Sequence, residues 1–369
     1  MTFIEFFDKT AAENICACLA CVPERVVLLG DKSKLLVRHA ERYKSFFADR
    51  GFNVEFICKS VNRNNLKSIV GLLSSLVETY GDCAFGLTGG GDLFLTAAGI
   101  VYERYKDKNI QLHRYNIHNN TVYDCDNDGN VYSVTDTTCL SVAENIRIYG
   151  GDIVSGDFAQ WEMSDEFKKD ILAIWNVCRK NVKKWNSSIG SGRFNDNIGA
   201  ELIGAGLISY ADGKIQYKNS QVKRCLTKAG LALEMIIYLA ALEVTDKDGN
   251  KTYNDARNGV NIDWDGMPDK YDTKNEIDVL LMRRLVPVFI SCKNGTVETE
   301  ELYKLNSVAF RFGRQYAKKA LVATALDTMG EFGKYFRQRA ADMNIRIIEG
   351  VQEMSFEEIK DVVRVLWCD

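Results

Sequence analysis

The sequence predicts an α/β protein of two domains, and three observations carry that reading. From Arg25 onward, short apolar runs alternate with amphipathic segments of helical spacing. Glycines stand where two of those helical segments stop, at Gly51 and Gly81. At 369 residues the chain is longer than one ordinary core accommodates.

The elements follow in order. "RVVLLGDK" reads as a strand ending at Gly30 and Asp31, and "LVRHAERYKSFFADRG" as the helix after it. "NVEFICKSV" is a second strand, "NLKSIVGLLSSLVETYG" a second helix. "CAFGLTGGGD" is a strand running into glycines, followed by the helix "LFLTAAGIVYERYKDK". "IQLHRYNI" and a hairpin turning at "NDGN" close this part. Strands alternating with crossover helices imply a Rossmann-like parallel sheet, within a domain placed at residues 1–145.

A helical and wing-like connector is expected over 146–225. "SDEFKKDILAIWNVCRKNVKKW" reads as one helix capped by Ser164, basic and Trp-bearing at its end. "NSSIGSGRFNDNIG" reads as a hinge or linker, and a short helix, a hairpin and another short helix follow. The last domain, 226–369, opens on the apolar helix "LALEMIIYLAALEV". Then come the strands "NEIDVLL" and "VPVFISCK", a helix through "EELYKLNSVAFRFGRQYAKK", and two further strand–helix pairs.

Composition narrows the function classes. With 46% hydrophobic and 26% charged residues the chain is that of a folded globular protein. A net charge of −3 gives no global attraction to DNA or anionic membrane, so any nucleic-acid site is a local patch. No apolar stretch is long enough to span a bilayer, and the first ten residues lack a basic leader, so a cytoplasmic location is expected. The eleven cysteines are scattered and odd in number, which fits buried free thiols in a reducing compartment. Cys16, Cys18 and Cys21 cluster, but no matching ligand pair follows them and the chain has three histidines, which argues against zinc.

Polar residues on the two apolar strands mark a candidate site. Period-two alternation puts Glu276 and Asp278 on one face, and Ser291 and Lys293 on one face of the next strand. Pairing the strands brings Asp278 toward Ser291 and Lys293. One reading is a structural ion pair at the sheet's end. The other is a phosphodiesterase centre, with Asp278 and a main-chain carbonyl holding a hard divalent cation and Lys293 offsetting phosphate charge. Glu234, on an apolar helix ahead of them, is a carboxylate that a core seldom buries without a partner.

Helix Glu, strand Asp and strand Lys in this order resemble the PD-(D/E)xK restriction-endonuclease-like core. The resemblance implies catalytic residues Glu234, Asp278, Ser291, Lys293 and Glu276. It implies a manganese or magnesium ion on Glu234, Asp278 and the main-chain carbonyl of Cys292. Ser291 stands where the commonest motif has Glu or Asp, and Glu276 shares its surroundings as a compensating acid. Arg311, Arg314, Lys318 and Lys319, read on the following helix, are candidates for tracking nucleic-acid phosphates.

In the first domain, Thr88, Gly89, Gly90, Gly91 and Asp92 lie between a strand and a helix, where backbone N–H groups approach a phosphate. Gly30, Asp31, Lys32 and Ser33 lie on the same C-terminal edge of the sheet. Neither stretch is a Walker loop or G-x-G-x-x-G, which counts against a nucleotide-dependent oxidoreductase. Together the two loops resemble the CRISPR-associated Rossmann-fold (CARF) sensors, whose equivalent loops face a cyclic oligoadenylate.

The whole chain resembles the CARF–nuclease effectors of type III CRISPR antiviral defence. That resemblance implies a homodimer, cyclic tetraadenylate as activator, and metal-dependent cleavage of DNA or RNA. The competing expectation is a ligand sensor with a degenerate nuclease that binds nucleic acid or protein, with Ser291 as its support.

Overall fold

The computed structural model describes residues 1–125, 131–133, 138–154, 163–194, 196–267, 274–326 and 330–368. These form two compact units. The first is Met1–Asp152 with Arg284–Val286 and Gly313–Tyr316; the second is Ile153–Arg283, Pro287–Phe312 and Ala317–Asp369.

In the first unit the strands lie in the order Glu55–Ser60, Arg25–Gly30, Thr2–Phe6, Cys83–Gly86, Ile110–Asn116, all parallel. Thr121–Asp124 and Val131–Ser133 extend the sheet antiparallel, and the "NDGN" turn between them lies outside the described residues. The alternating parallel sheet is thus the Rossmann-like arrangement expected. One element corrects the sequence reading: the central strand is Thr2–Phe6, ahead of Arg25 where the pattern was taken to begin. "TFIEF" is buried on both faces, and the helix Ala11–Cys21 after it is buried on nearly every side. Neither shows the alternation or amphipathic stripe that marks a half-exposed element. Cys16 and Cys18 sit inside that helix as buried free thiols.

Helix ends follow local chemistry. Asn65 caps Leu66–Tyr80 by accepting from Ser68 N–H at 3.0 Å, and Gly81 ends it at φ +75°.

In the second unit the sheet runs Ile345–Glu349, Lys318–Ala323, Val286–Lys293, Lys274–Arg283, Asp255–Asp263. Val286–Lys293 and Lys274–Arg283 are neighbours joined through Arg284, which takes φ +56°. Asp255–Asp263 pairs antiparallel with Lys274–Arg283, and Lys318–Ala323 and Ile345–Glu349 pair parallel beyond Val286–Lys293. The helix Leu231–Glu243 is buried through most of its length, with Phe356–Arg364 in contact with it.

The segment read as a connector differs from expectation in two places. "SDEFKKDILAIWNVCRKNVKKW" is two helices, Asp165–Cys178 and Val182–Ser191, because the Asn181 side chain accepts from Lys184 N–H and starts a new helix. "NSSIGSGRFNDNIG" is largely helical rather than a hinge, falling within Val182–Ser191 and Asp196–Gly204. Trp185 is fully buried in a core that also holds Trp175, Leu202, Ile236 and Val288. Its apolar ring therefore stabilises packing and is not presented to a nucleic acid. The hairpin Ile208–Ala211/Lys214–Tyr217 turns at Asp212 and Gly213, both at positive φ, as a tight turn of this type requires.

Candidate functional sites

On the strand Lys274–Arg283, side-chain alternation puts Asp278 on the face shared with Glu276. One carboxylate oxygen, Asp278 Oδ2, accepts from the backbone N–H of Cys292 at 2.6 Å and from Ser291 Oγ at 3.2 Å. The N–H and C=O of a strand residue point to the same side, so the Cys292 carbonyl faces the Asp278 strand as well. Burial raises the Asp278 pKa, opposed by those two hydrogen bonds and by the Lys293 charge.

Glu234 enters from the first turn of its helix, 6% exposed, and its Oε2 has no hydrogen-bond partner. Burial, then repulsion from Asp278, pushes its pKa up to about 8. Glu276 pairs with Lys228 at 3.2 Å.

Lys293 completes the group. Burial works against its charge, but the ion pair with Glu301 and the field of Asp278 outweigh burial and raise its pKa. The Lys293 Nζ to Glu301 Oε2 distance is 2.7 Å. Glu276, Asp278, Ser291, Lys293, Glu301 and Lys304 line a cavity of about 270 Å³.

Among the described residues no three His, Cys, Asp or Glu side chains converge as a ready metal site. What fits a hard divalent cation is narrower: a buried Glu234 and a half-buried Asp278 that repel each other, Glu234 with an orphaned oxygen, beside a main-chain carbonyl. Oxygen donors of this kind suit magnesium or manganese rather than zinc.

The structure thus brings together Glu234, Glu276, Asp278, Ser291, Cys292 and Lys293. It does not do so for the expected phosphate-tracking helix. The helix ends at Gly313, and Lys318 and Lys319 open the next strand, which corrects their placement. Lys319 Nζ donates to Asn306 Oδ1 at 2.8 Å and to the Met343 carbonyl, and burial lowers its pKa. Arg311 reaches the Trp264 carbonyl at 3.3 Å and lies over the Phe312 ring. Arg314, at φ +51°, belongs with the first unit. A turn after Phe312, whose φ/ψ of −113° and 15° are non-helical, ends the face those four cations were expected to share.

Sequence reasoning missed Lys228, Glu301 and Lys304. Glu301 and Lys304 are spaced as neighbours on one helix turn, but only the folded chain carries them to Lys293.

In the first unit, a cavity of about 400 Å³ opens at the C-terminal edge of the parallel sheet. Gly30, Asp31, Lys32, Gly90, Gly91 and Asp92 line it, as do Phe7, Asp8, Lys9, Arg63 and Asn64, which sequence reasoning did not single out. Phe7–Lys9 was missed because its strand was missed.

Three predicted residues sit elsewhere. Thr88 Oγ1 accepts from Tyr115 N–H at 2.9 Å, Gly89 packs on Asp8, and Ser33 is an exposed first residue of the next helix. Gly90 has φ +91°, and a Cβ there would lie 2.4 Å from the Phe6 Cβ. The glycine is required by the central strand, so a bulky residue at Gly90 strains the fold itself. Gly91 caps the helix Asp92–Arg104 with nothing within 4 Å of where its Cβ would be.

No protein-family model matches the chain, and a search of curated proteins gives no match. Solved structures do match. VC1899 from Vibrio cholerae aligns with a TM-score of 0.76 at 16% identity, over 99% of this chain and 97% of that one. Can2 from Sulfobacillus thermosulfidooxidans, solved in complex with cyclic tetra-adenylate, aligns at 0.72 and 15%, over 98% and 97%. A type III CRISPR defence DNA nuclease activated by cyclic oligoadenylate aligns at 0.55 and 15%, over 88% of this chain and 45% of that one. From end to end the chain shares the fold of VC1899 and Can2, a Rossmann-like parallel-sheet unit followed by a second α/β unit with a mixed sheet.

Proposed function

We propose that the protein is a cyclic oligoadenylate-activated nuclease of type III CRISPR antiviral defence, with cyclic tetraadenylate as activator. It acts in the cytoplasm as a homodimer, senses through residues 1–145 and cleaves DNA or RNA through 226–369. The observation that carries this reading is the group Glu234, Asp278 and Lys293. A buried and a half-buried carboxylate, the first with an orphaned oxygen, lie beside a lysine in a fold shared with a protein solved holding cyclic tetra-adenylate.

The residues divide the work. Glu234, Asp278 and the Cys292 carbonyl would hold Mn²⁺ or Mg²⁺, which when bound supplies Lewis-acid stabilisation of phosphate charge. Ser291 and the Cys292 N–H fix the Asp278 carboxylate, leaving its other oxygen for the cation. The Lys293 ammonium meets negative charge that grows on the phosphate in the transition state. In the first unit, Lys9, Lys32 and Arg63 offer cations, and the Gly90–Gly91 backbone approaches a phosphate at the start of the following helix. A ring of identical nucleotides matches a two-fold dimer, which presents the same loops to both halves.

The deciding experiment incubates the protein with labelled DNA and RNA, with and without cyclic tetraadenylate, in Mn²⁺. Fragments are expected only when activator and metal are both present. Ser291 supports the second reading, a sensor with a degenerate nuclease that binds nucleic acid or protein. Activator binding by calorimetry with no cleavage of any substrate decides for it.

A further inference from the structure

Ser291 leaves the lysine strand without an acid two residues before Lys293. Lys293 is nevertheless paired with an acid. Glu301, in the first turn of the helix Glu300–Gly313, places Oε2 2.7 Å from Lys293 Nζ. Its other oxygen, Oε1, takes Lys304 at 2.9 Å, and the carboxylate side chain is 22% exposed. Lys293 and Lys304 hold its pKa low despite the opposing effect of burial. Glu300, beside it in the same turn, is exposed, so favourable charge at a helix start does not by itself explain why Glu301 turns inward.

We propose that Glu301, from a neighbouring helix, is the positioning residue of Lys293. The inference deepens the nuclease reading of this cavity and rests on it. A lysine on a flexible four-carbon stem points its ammonium in many directions. One carboxylate oxygen at hydrogen-bond distance selects a direction, while the second oxygen, held by Lys304, stops the carboxylate from rotating away. Ser291 and Lys293 lie on the same face of their strand, so an acid placed at 291 reaches the same ammonium.

The test uses the full chain and the variants Glu301→Gln, Glu301→Asp and Glu301→Gln/Ser291→Glu. The first readout is acetylation of Lys293 by N-hydroxysuccinimide acetate at neutral pH without metal, followed by mass spectrometry. Loss of the pairing should free the Lys293 stem and raise the labelling rate in Glu301→Gln about tenfold, the change expected when one charge-assisted hydrogen bond is removed. Glu301→Asp should fall between, and the double variant should return toward wild type.

The second readout is turnover with cyclic tetraadenylate and Mn²⁺. Glu301→Gln should lower kcat about tenfold with KM unchanged, and Glu301→Asp should keep part of that activity. Equal labelling in wild type and Glu301→Gln overturns the proposal, as does an unchanged kcat in Glu301→Gln. A wild type that cleaves nothing sinks the nuclease reading instead, and the labelling result still decides the role of Glu301.

Discussion

Asp278 shows how one side chain does two jobs. Its Oδ2 joins neighbouring strands through Cys292 and Ser291, while its charge lies within reach of Glu234 and Lys293. Asp278→Asn keeps an oxygen for those hydrogen bonds and removes the charge. We expect cleavage to fall by more than about a hundredfold, while the melting temperature and calorimetric affinity for cyclic tetraadenylate stay near wild type. Wild-type turnover would remove Asp278 from the site.

Glu13 gives a separate prediction, for stability. Burial pushes its pKa up to about 7, with Asp8 adding to the rise and the Tyr316 hydroxyl and Gln315 amide, at 2.7 and 2.8 Å, opposing it. An unfolded glutamate loses its proton near about 4.3, so between those values the folded state holds the extra proton. Stability should therefore fall as pH rises from about 4.3 to 7 and then lose this dependence. Glu5, fully buried and raised well above its ordinary value by burial and by Glu13 and Asp8, contributes a fall in the same direction. Melting curves at stepped pH should show a shallower decline in Glu13→Gln. Equal slopes would exclude Glu13.

At the scale of elements, the glycine turn before Asp92–Arg104 separates folding from binding. Gly90 has φ +91° and the Phe6 Cβ in its way, so Gly90→Ala should lower the melting temperature whether or not ligand is present. Gly91 has extended backbone and open space, so Gly91→Val should melt near wild type while weakening cyclic tetraadenylate at least about tenfold by calorimetry. Unchanged affinity would move the ligand away from this turn. In the second unit, Trp185 anchors the helix Val182–Ser191 in the core. Trp185→Ala should cost about 3–5 kcal/mol, read from the denaturant midpoint, a penalty expected for a buried large-to-small change. A midpoint shift worth under about 1 kcal/mol would place the ring outside the load-carrying packing.

For the whole molecule, the two-fold reading predicts light scattering at twice the mass of one chain and a calorimetric stoichiometry of one ring per two chains. A monomeric mass with one ring per chain would exclude it. Among the described residues no helix is long and apolar enough to cross a membrane.

The sequence by itself determined the alternation of strand and helix in the first unit and the shared face of Ser291 and Lys293. Those features depend on period, glycine stops and neighbours a few residues apart, so they are written locally. It did not reveal Thr2–Phe6, because a strand buried on both faces next to a helix buried nearly all round shows no polar side to set the period. It also placed Lys318 and Lys319 on a helix that ends at Gly313. Only the tertiary structure decided that Phe7–Lys9 joins the cleft, that Lys319 is taken up by Asn306 and Met343, and that Glu301 meets Lys293. Each of these depends on where separate elements come to rest against one another, and packing between distant residues leaves no spacing in the chain.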